Sequence, residues 1–213
     1  MSTRPAIEAA AARIAPHIRR TPVLGLPGAA LGLPGAALGT PCDVSLKLES
    51  LQVSGSFKAR GAFNALLQAD GAARGVIAAS GGNHGAAVAH AAGALGIPAE
   101  IFVPAIASPS KVARIAEAGA RVVQGGNTYA EAFAASEARR AETGALSIHA
   151  YDQAEVLAGQ GTVAREIEAD LPGLTHVLVA VGGGGLIGGI GAWFAGTGVE
   201  VVAVEPEGCP TLH

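Results

Sequence analysis

Short apolar segments typical of β-strands alternate along the chain with longer segments of helical periodicity. The predicted strands are residues 44–48, 76–79, 99–103, 121–124, 146–149, 176–181 and 199–204. The predicted helices between them are residues 57–68, 84–95, 110–118, 128–143, 154–170 and 186–194. This order favours an α/β fold in which parallel strands are joined by crossover helices. Ligands bind such folds at the carboxyl ends of the strands, so the loops that follow strands are the first candidates for a site.

The N-terminal region is predicted to hold one more helix and a repeated segment. An amphipathic helix is predicted from about Pro5, and Pro16 disturbs it near its end. The sequence Leu-Gly-Leu-Pro-Gly-Ala-Ala then occurs twice, at residues 24–30 and 31–37. Extra length in a surface loop costs little closure entropy, so we interpret the repeat as a tandem duplication within such a loop.

Charge and composition argue against several classes of partner. The chain has a net charge of −3 and only 15% charged residues, so it offers no basic surface for nucleic acid or anionic membranes. Cys42 and Cys209 show no disulfide-framework spacing, and the N-terminus lacks the apolar region of a secretory signal. We therefore expect a cytoplasmic protein whose partner is a small molecule.

Residues 177–199 carry no charge and are numerous enough to span a bilayer. However, nine glycines lie in this window, four of them consecutive at Gly182–Gly185, and they would break a spanning helix. We predict a buried strand, a turn and a helix instead.

The first candidate loop carries Lys58. It reads Ser-Gly-Ser-Phe-Lys-Ala-Arg-Gly-Ala over residues 54–62, at the start of an amphipathic helical segment. Desolvation of a lysine there disfavours the ammonium form, so the amine becomes available to attack an aldehyde such as that of pyridoxal phosphate. Most lysines at helix starts are solvated surface charges, so this loop alone does not decide between the two interpretations.

The second loop, Ser80-Gly81-Gly82-Asn83-His84-Gly85, joins a predicted strand to a predicted helix. Backbone amides of a glycine turn at a helix start can hold a carboxylate or a phosphate, and Ser80 and Asn83 add side-chain donors. An ordinary helix cap by Ser80 or Asn83 is the alternative.

The third loop, Gly182-Gly183-Gly184-Gly185-Leu186, directly follows an apolar strand. Four glycines let the backbone approach an anion closely, and the following helix adds its positive end. A dinucleotide site is the competing hypothesis. Under that hypothesis, Gly183, Gly185 and Gly188 form G-x-G-x-x-G and Glu205 is the ribose-binding acid.

Together the loops resemble the fold type II pyridoxal phosphate enzymes, most closely the threonine and serine dehydratases with serine racemase. The resemblance covers nearly the whole chain, and the matching motifs stand in the family's order. They are Thr21-Pro22, Lys47-Leu48-Glu49, the loops around Lys58, Ser80 and Gly182, Ala158-Gly159-Gln160-Gly161-Thr162, and Val204-Glu205-Pro206.

The resemblance implies an α/β architecture similar to the β subunit of tryptophan synthase, with two three-layer αβα domains and largely parallel sheets. Residues 1–74 and 149–213 would form the large cofactor domain, and residues 75–148 a small mobile domain. The family continues beyond the position of His213, so we expect the large domain to be incomplete and the chain to be a truncated form. A homodimer or homotetramer is also expected.

The resemblance also implies a role for each site residue. Lys58 would carry the cofactor as a Schiff base, Phe57 would pack on its ring, Asn83 would bind its 3-hydroxyl, and Gly182, Gly183, Gly184, Gly185 and Leu186 would hold its phosphate. The substrate carboxylate would be received by Ser80, Gly81, Asn83 and His84. By similarity to some relatives, Glu205 and the backbone carbonyl of Cys209 are candidate ligands of a divalent cation in this chain. Thr211 replaces a further acidic ligand, so we expect weak or absent metal dependence.

The implied reaction is β-elimination of L-threonine or L-serine to 2-oxobutanoate or pyruvate and ammonia. Racemisation needs a second proton-transfer group opposite Lys58, and Gly81 occupies the position of the serine that supplies it in racemase-like relatives. Elimination is therefore expected to dominate. Serine racemase-like activity, a nicotinamide-dependent oxidoreductase and an inactive fragment remain alternatives.

Overall fold

The computed structural model describes residues 3–27, 43–69 and 74–212. Helices and strands alternate through these residues, because apolar positions recur with the periods of a buried helix face and of a buried strand. The helices are α1 Arg4–Ile14, α2 Lys58–Gln68, α3 Asn83–Ala94, α4 Pro109–Glu117, α5 Tyr129–Thr143, α6 Ala154–Asp170 and α7 Gly185–Phe194. The strands are β1 Val23–Pro27, β2 Asp43–Lys47, β3 Val76–Ala79, β4 Ala99–Val103, β5 Arg121–Gln124, β6 Leu146–Ser147, β7 His176–Ala180 and β8 Glu200–Val204.

Strands β3 to β6 form a four-stranded sheet in the order β5-β4-β3-β6, with every pairing parallel. Successive strand residues point to opposite faces of a sheet. Val76 and Ala78 accordingly pack in the cluster that contains α3, whereas Ile77 and Ala79 pack with Phe102 on the other face. This sheet confirms the predicted α/β fold with parallel strands.

Strands β7 and β8 form a second parallel pair, joined by α7. Val177 and Val179 face a core that also holds Trp193 and Phe194, while Leu178 on the opposite face is 71% exposed. The uncharged window at residues 177–199 is thus strand, turn and helix, as predicted. Among the helices of the described ranges, none has the length and apolarity needed to cross a membrane.

Strand β1 corrects the interpretation of the repeated segment as a surface loop for residues 24–27. Leu24–Pro27 pair antiparallel with β2, and Leu24 lies opposite Leu46. The Gly- and Pro-rich sequence predicts a loop, but pairing with β2 satisfies its backbone groups and overrides that tendency. The rest of the repeat and Cys42 lie outside the described residues.

Strand β6 ends two residues earlier than the predicted segment 146–149. The Ile148 amide still donates to the Ile77 carbonyl, but the Ile148 carbonyl accepts from the ring of His84 and the chain then turns away from the sheet. The strand therefore ends where its backbone begins to contact the candidate site.

Candidate active site

The segment 148–151, which connects β6 to α6, contacts all three candidate loops. Lys58 Nζ donates to the carbonyl of Ala150 at 2.5 Å, and the ring Nε2 of His84 lies 2.9 Å from the carbonyl of Ile148. The ring of Tyr151 packs on the backbone of Gly183. The loops predicted separately from the sequence are therefore brought to one place by a segment that the sequence analysis did not identify.

Lys58 is the first residue of α2, and Phe57 is the residue that precedes the helix. The Nζ atom of Lys58 lies 5.2 Å from the centre of the Phe57 ring. Burial lowers the pKa of the Lys58 amine, because the charged form loses its hydration. More of the amine is therefore unprotonated at neutral pH than in a solvated lysine, as a nucleophile or a base requires.

The second loop leads into α3, which begins at Asn83 after Gly82. No side chain caps this helix, and the Ser80 hydroxyl instead accepts from the Gly82 amide at 3.2 Å. The predicted alternative, an ordinary cap by Ser80 or Asn83, is therefore wrong. The first amides of α3 lack a side-chain partner, and Asn83 is exposed beside them.

The side chain of His84 is buried and forms a hydrogen bond with the backbone of the protein. Burial, together with the nearby Lys58 and His149, lowers the pKa of His84 to about 4, although its bond to the Ile148 carbonyl acts in the opposite direction. The ring is thus neutral at neutral pH, with Nε2–H as the donor to Ile148. His84 joins the second loop to segment 148–151 and leaves only its backbone free for a ligand.

The four glycines of the third loop differ in what they contact. A Cβ on Gly183 would lie 2.1 Å from Tyr151 Cδ1, and one on Gly185 would lie 2.9 Å from Tyr151 Cα, so Tyr151 requires both glycines. Gly184 has a φ of +86°, but a Cβ there would meet no atom within 4 Å. Gly182 has neither a positive φ nor any atom near its Cβ position.

Gly182 is therefore a glycine that the protein's own packing and backbone do not require. A phosphate held by the loop amides would occupy the space beside this backbone, and helix α7 begins there with no side-chain cap. Leu186, the second residue of α7, is half-buried and packs against the core around Trp193. The third loop thus fits the phosphate of pyridoxal phosphate.

The predicted cation ligands, Glu205 and the carbonyl of Cys209, lie in the segment after β8, where Glu205 forms hydrogen bonds with backbone amides. The Glu205 carboxylate accepts from the amides of Thr211 and Leu212 at 2.6 and 3.1 Å, and the Cys209 amide donates to the Pro206 carbonyl. Residues 3–27, 43–69 and 74–212 contain no group of three or more His, Cys, Asp or Glu side chains that could hold a metal. Weak metal dependence stays a prediction.

A half-buried lysine beside two glycine loops at helix N-termini defines a site for an aldehyde cofactor that bears a phosphate. Residues 14–213 match the family of pyridoxal-phosphate dependent enzymes, and the chain belongs to this family. The cofactor of this chain is pyridoxal 5'-phosphate, as predicted from the sequence. The family match therefore favours the pyridoxal phosphate hypothesis for the four-glycine loop over the hypothesis of a dinucleotide site.

The relatives confirm the resemblance to the threonine dehydratase and serine racemase group of fold type II. The L-threonine ammonia-lyase of Thermotoga maritima is 42% identical over 174 residues, which are 80% of this chain and 43% of the relative. The structure of maize serine racemase has a TM-score of 0.89 at 35% identity and covers 97% of this chain and 62% of its own. The processed form of threonine deaminase isoform 2 from Solanum lycopersicum has a TM-score of 0.85 at 30% identity, over 95% and 55% of the two chains. The chain thus spans less than two thirds of the length of these relatives.

Proposed function

We propose that this protein catalyses the pyridoxal phosphate-dependent elimination of water from L-threonine or L-serine, which yields a 2-oxo acid and ammonia. The observation that carries the proposal is the convergence of Lys58, His84 and the four-glycine loop on segment 148–151. The similarity to an L-threonine ammonia-lyase and to a threonine deaminase supports the choice of reaction.

The residues that would hold the cofactor are Phe57, Lys58, Asn83, Gly182, Gly183, Gly184, Gly185 and Leu186. Phe57 lies close enough to Lys58 to flank a ring bonded to that amine, and the Gly182 backbone is open to a phosphate. When bound, the cofactor supplies the electron sink that stabilises negative charge at the substrate Cα.

The second loop would hold the substrate carboxylate. The uncapped amides at the start of α3 carry partial positive charge, and Ser80, Gly81, Asn83 and His84 surround this helix end in the sequence. Because the ring of His84 bonds to Ile148, we assign its backbone rather than its side chain to the carboxylate.

Lys58 would take the proton from the substrate Cα. Its lowered pKa provides the unprotonated amine that a general base needs, and the Ala150 carbonyl orients that amine by accepting its hydrogen bond. No second proton-transfer side chain stands at position 81, which favours loss of the β-hydroxyl over inversion.

We also propose that residues 75–148 form a small domain that closes over the substrate. The whole four-stranded sheet, from Val76 to Ser147, lies within these residues, which supports the proposal. A cytoplasmic location and a homo-oligomeric state are further proposals, and they rest on the sequence alone.

Peptide mapping tests the role of Lys58. After loading with pyridoxal phosphate and reduction with borohydride, the pyridoxyl group should be found on Lys58, and a label on Lys47 or Lys111 instead would contradict the assignment. Lys58→Ala should lower the rate of 2-oxo acid formation by about a hundredfold to ten-thousandfold, because a general base contributes about 10² to 10⁴. Lys111→Ala, at an exposed position on α4, is the control and should change little.

A further inference from the structure

A cluster of charged and polar side chains around the buried Arg60 lies next to the candidate site but outside its three loops. We call it the Arg60 cluster, and its members are Lys47, Glu49, Arg60, Thr162, Glu166 and Asp170. Arg60 stands two residues after Lys58 on α2, whereas Thr162, Glu166 and Asp170 are on α6. None of these residues contributes to the proposed chemistry, so the cluster needs another explanation.

Arg60 is fully buried, and both edges of its guanidinium are clamped by carboxylates. Nε and Nη2 each donate to Glu49 at 2.8 Å, while Nη1 and Nη2 donate to Glu166 at 2.7 and 3.0 Å. Nη1 also donates to Thr162 at 3.1 Å. Every donor nitrogen of Arg60 is therefore used: the Glu166 fork ties α2 to α6, and the Glu49 fork ties α2 to the segment that follows β2.

Lys47 extends the cluster from α6 to strand β2. Its Nζ lies 2.7 Å from Glu166 and 3.1 Å from Asp170, and it donates to the carbonyl of Thr21 at 2.7 Å. Burial would raise the pKa of Glu166, but the bonds from Arg60 and Lys47 outweigh it and lower the pKa. The Glu166 carboxylate is thus ionised at neutral pH.

Glycines bring the backbone of α6 into contact with the backbones of both α2 and α7. A Cβ on Gly159 of α6 would lie 2.5 Å from the Arg60 carbonyl, so α2 and α6 are in direct backbone contact. A Cβ on Gly189 of α7 would lie 2.6 Å from the Gly161 amide nitrogen, so α6 and α7 are equally close. Asn64 of α2 also donates to the Glu155 carbonyl of α6 at 2.6 Å, but the contact between Arg60 and Glu166 is the charged, two-bonded link between these two helices.

These contacts connect Lys58 to the phosphate loop. Lys58 begins α2, the Arg60 cluster fixes α2 on α6, and the Gly161–Gly189 contact places α7 on α6. The four-glycine loop ends at the start of α7. A shift of α2 along α6 would therefore displace the Lys58 amine relative to the phosphate loop and to Ala150.

We propose that Arg60 is a positioning residue, and that its cluster sets the register of α2 on α6 so that the Lys58 amine faces the phosphate loop. The inference rests on the proposed role of Lys58 as the cofactor lysine. The cluster fixes this register without adding to the stability of the fold, because desolvating buried ion pairs costs about as much as their attraction returns.

The test compares three variants of the 213-residue chain with the unaltered protein. The apolar replacement removes the partners of the cluster together and combines Arg60→Met, Glu49→Leu, Glu166→Leu, Lys47→Met and Thr21→Val, while Asp170 keeps its bond to Arg20. Arg60→Lys keeps the positive charge but loses the bidentate hydrogen bonds. Arg139→Met is the matched control, because Arg139 donates to Glu100 through Nε and Nη2 at 3.0 and 3.1 Å on α5, away from the three loops.

Two readouts separate positioning from a structural role. The first is the pH dependence of Lys58 acetylation by trace acetic anhydride in the cofactor-free protein, measured by peptide mapping. The second is the dissociation constant of pyridoxal phosphate, measured from its absorbance. The thermal midpoint is recorded for each protein.

The apolar replacement should keep its thermal midpoint, move the labelling midpoint of Lys58 up toward that of an ordinary lysine, and weaken cofactor binding about tenfold. Arg60→Lys should show a smaller change in the same direction, and Arg139→Met none. Unchanged labelling and cofactor affinity in a folded replacement would overturn the inference, and so would a replacement that fails to fold while Arg60→Lys labels normally. If the unaltered protein does not bind the cofactor, the proposed function fails, whereas the labelling comparison still decides the inference.

Discussion

The loop after β3 and the loop after β7 both depend on glycine, but for different physical reasons. In the loop at residues 80–85, a Cβ on Gly85 would lie 2.2 Å from the Ser80 carbonyl, so the protein's own backbone excludes a side chain. In the four-glycine loop, Gly182 and Gly184 have open space at the Cβ position. The comparison teaches that a glycine can be needed by the fold or by a ligand, and that the two needs are separable by mutation.

Gly85→Ala should have the largest effect on stability. Alanine is favoured over glycine within a helix, but its Cβ would collide with the Ser80 carbonyl and force the turn to move. We expect a loss of about 2 kcal/mol, or a fall of about 4 to 8 °C in the thermal midpoint of the cofactor-free protein. An unchanged midpoint would mean that the turn adapts freely and that the proposed difference between the loops is wrong.

Helices and strands with a clear apolar periodicity in the sequence were predicted well, and those without one were not. The predicted helix at residues 154–170 has the bounds that the structure gives to α6, since its apolar period is long and uninterrupted. Strand β1 was missed, because Leu24–Pro27 acquires strand structure only by pairing with β2. The Gly-Leu-Pro-Gly sequence itself carries turn residues.

The three glycine and lysine loops could be found in the sequence, because each has a local motif after a strand. Segment 148–151 could not, since it contacts Lys58 and His84 through backbone carbonyls, which any residue provides. The role of Arg60 was equally hidden, because its partner Glu166 is 106 residues away along the chain. Tyr151 was the one available signal, as an aromatic residue just before the Ala158–Thr162 motif.

Gly184→Val tests the ligand explanation where backbone strain also acts. The φ of +86° is unfavourable for valine, so stability falls whether or not a phosphate binds. Gly173 is the matched control, since it has the same φ of +86° and no atom near its Cβ position. Both variants should lose about 1 kcal/mol, because the backbone conformation is unfavourable but no atom lies near the Cβ position. Only Gly184→Val should release pyridoxal phosphate on dialysis, and equal retention by the two would favour a purely structural turn.

Gly182→Ala gives a smaller effect but separates the two explanations most clearly. No positive φ and no neighbouring atom opposes a methyl group there, so the stability of the cofactor-free protein should change by no more than about 0.5 kcal/mol. The dissociation constant of pyridoxal phosphate should rise, because the methyl group fills space that the phosphate needs. Gly198→Ala, which also meets no atom, is the control. Equal cofactor affinity in the two variants would count against phosphate binding at Gly182.

The smallest expected effect concerns Gly81, where a serine would add a proton-transfer group to the second loop. With glycine at this position, L-threonine or L-serine should give 2-oxo acid with little D-isomer, because Lys58 is the proposed base on one face and residue 81 has no side chain to move a proton on the other. A Cβ at Gly81 would lie 3.2 Å from Ala107 Cβ, so Gly81→Ser requires Ala107 to move by a few tenths of an ångström.

This close contact limits how well the new hydroxyl can be placed, and we expect only a modest gain in D-isomer formation over the unaltered protein. Chiral chromatography of the product mixture, with 2-oxo acid measured in parallel, gives the ratio of inversion to elimination. Gly81→Ala is the control, since it makes the same contact with Ala107 without a hydroxyl. If the unaltered protein forms D-serine from L-serine as fast as pyruvate, then a group other than residue 81 donates a proton to the face of the substrate Cα opposite Lys58. The assignment of elimination as the main reaction would then be wrong.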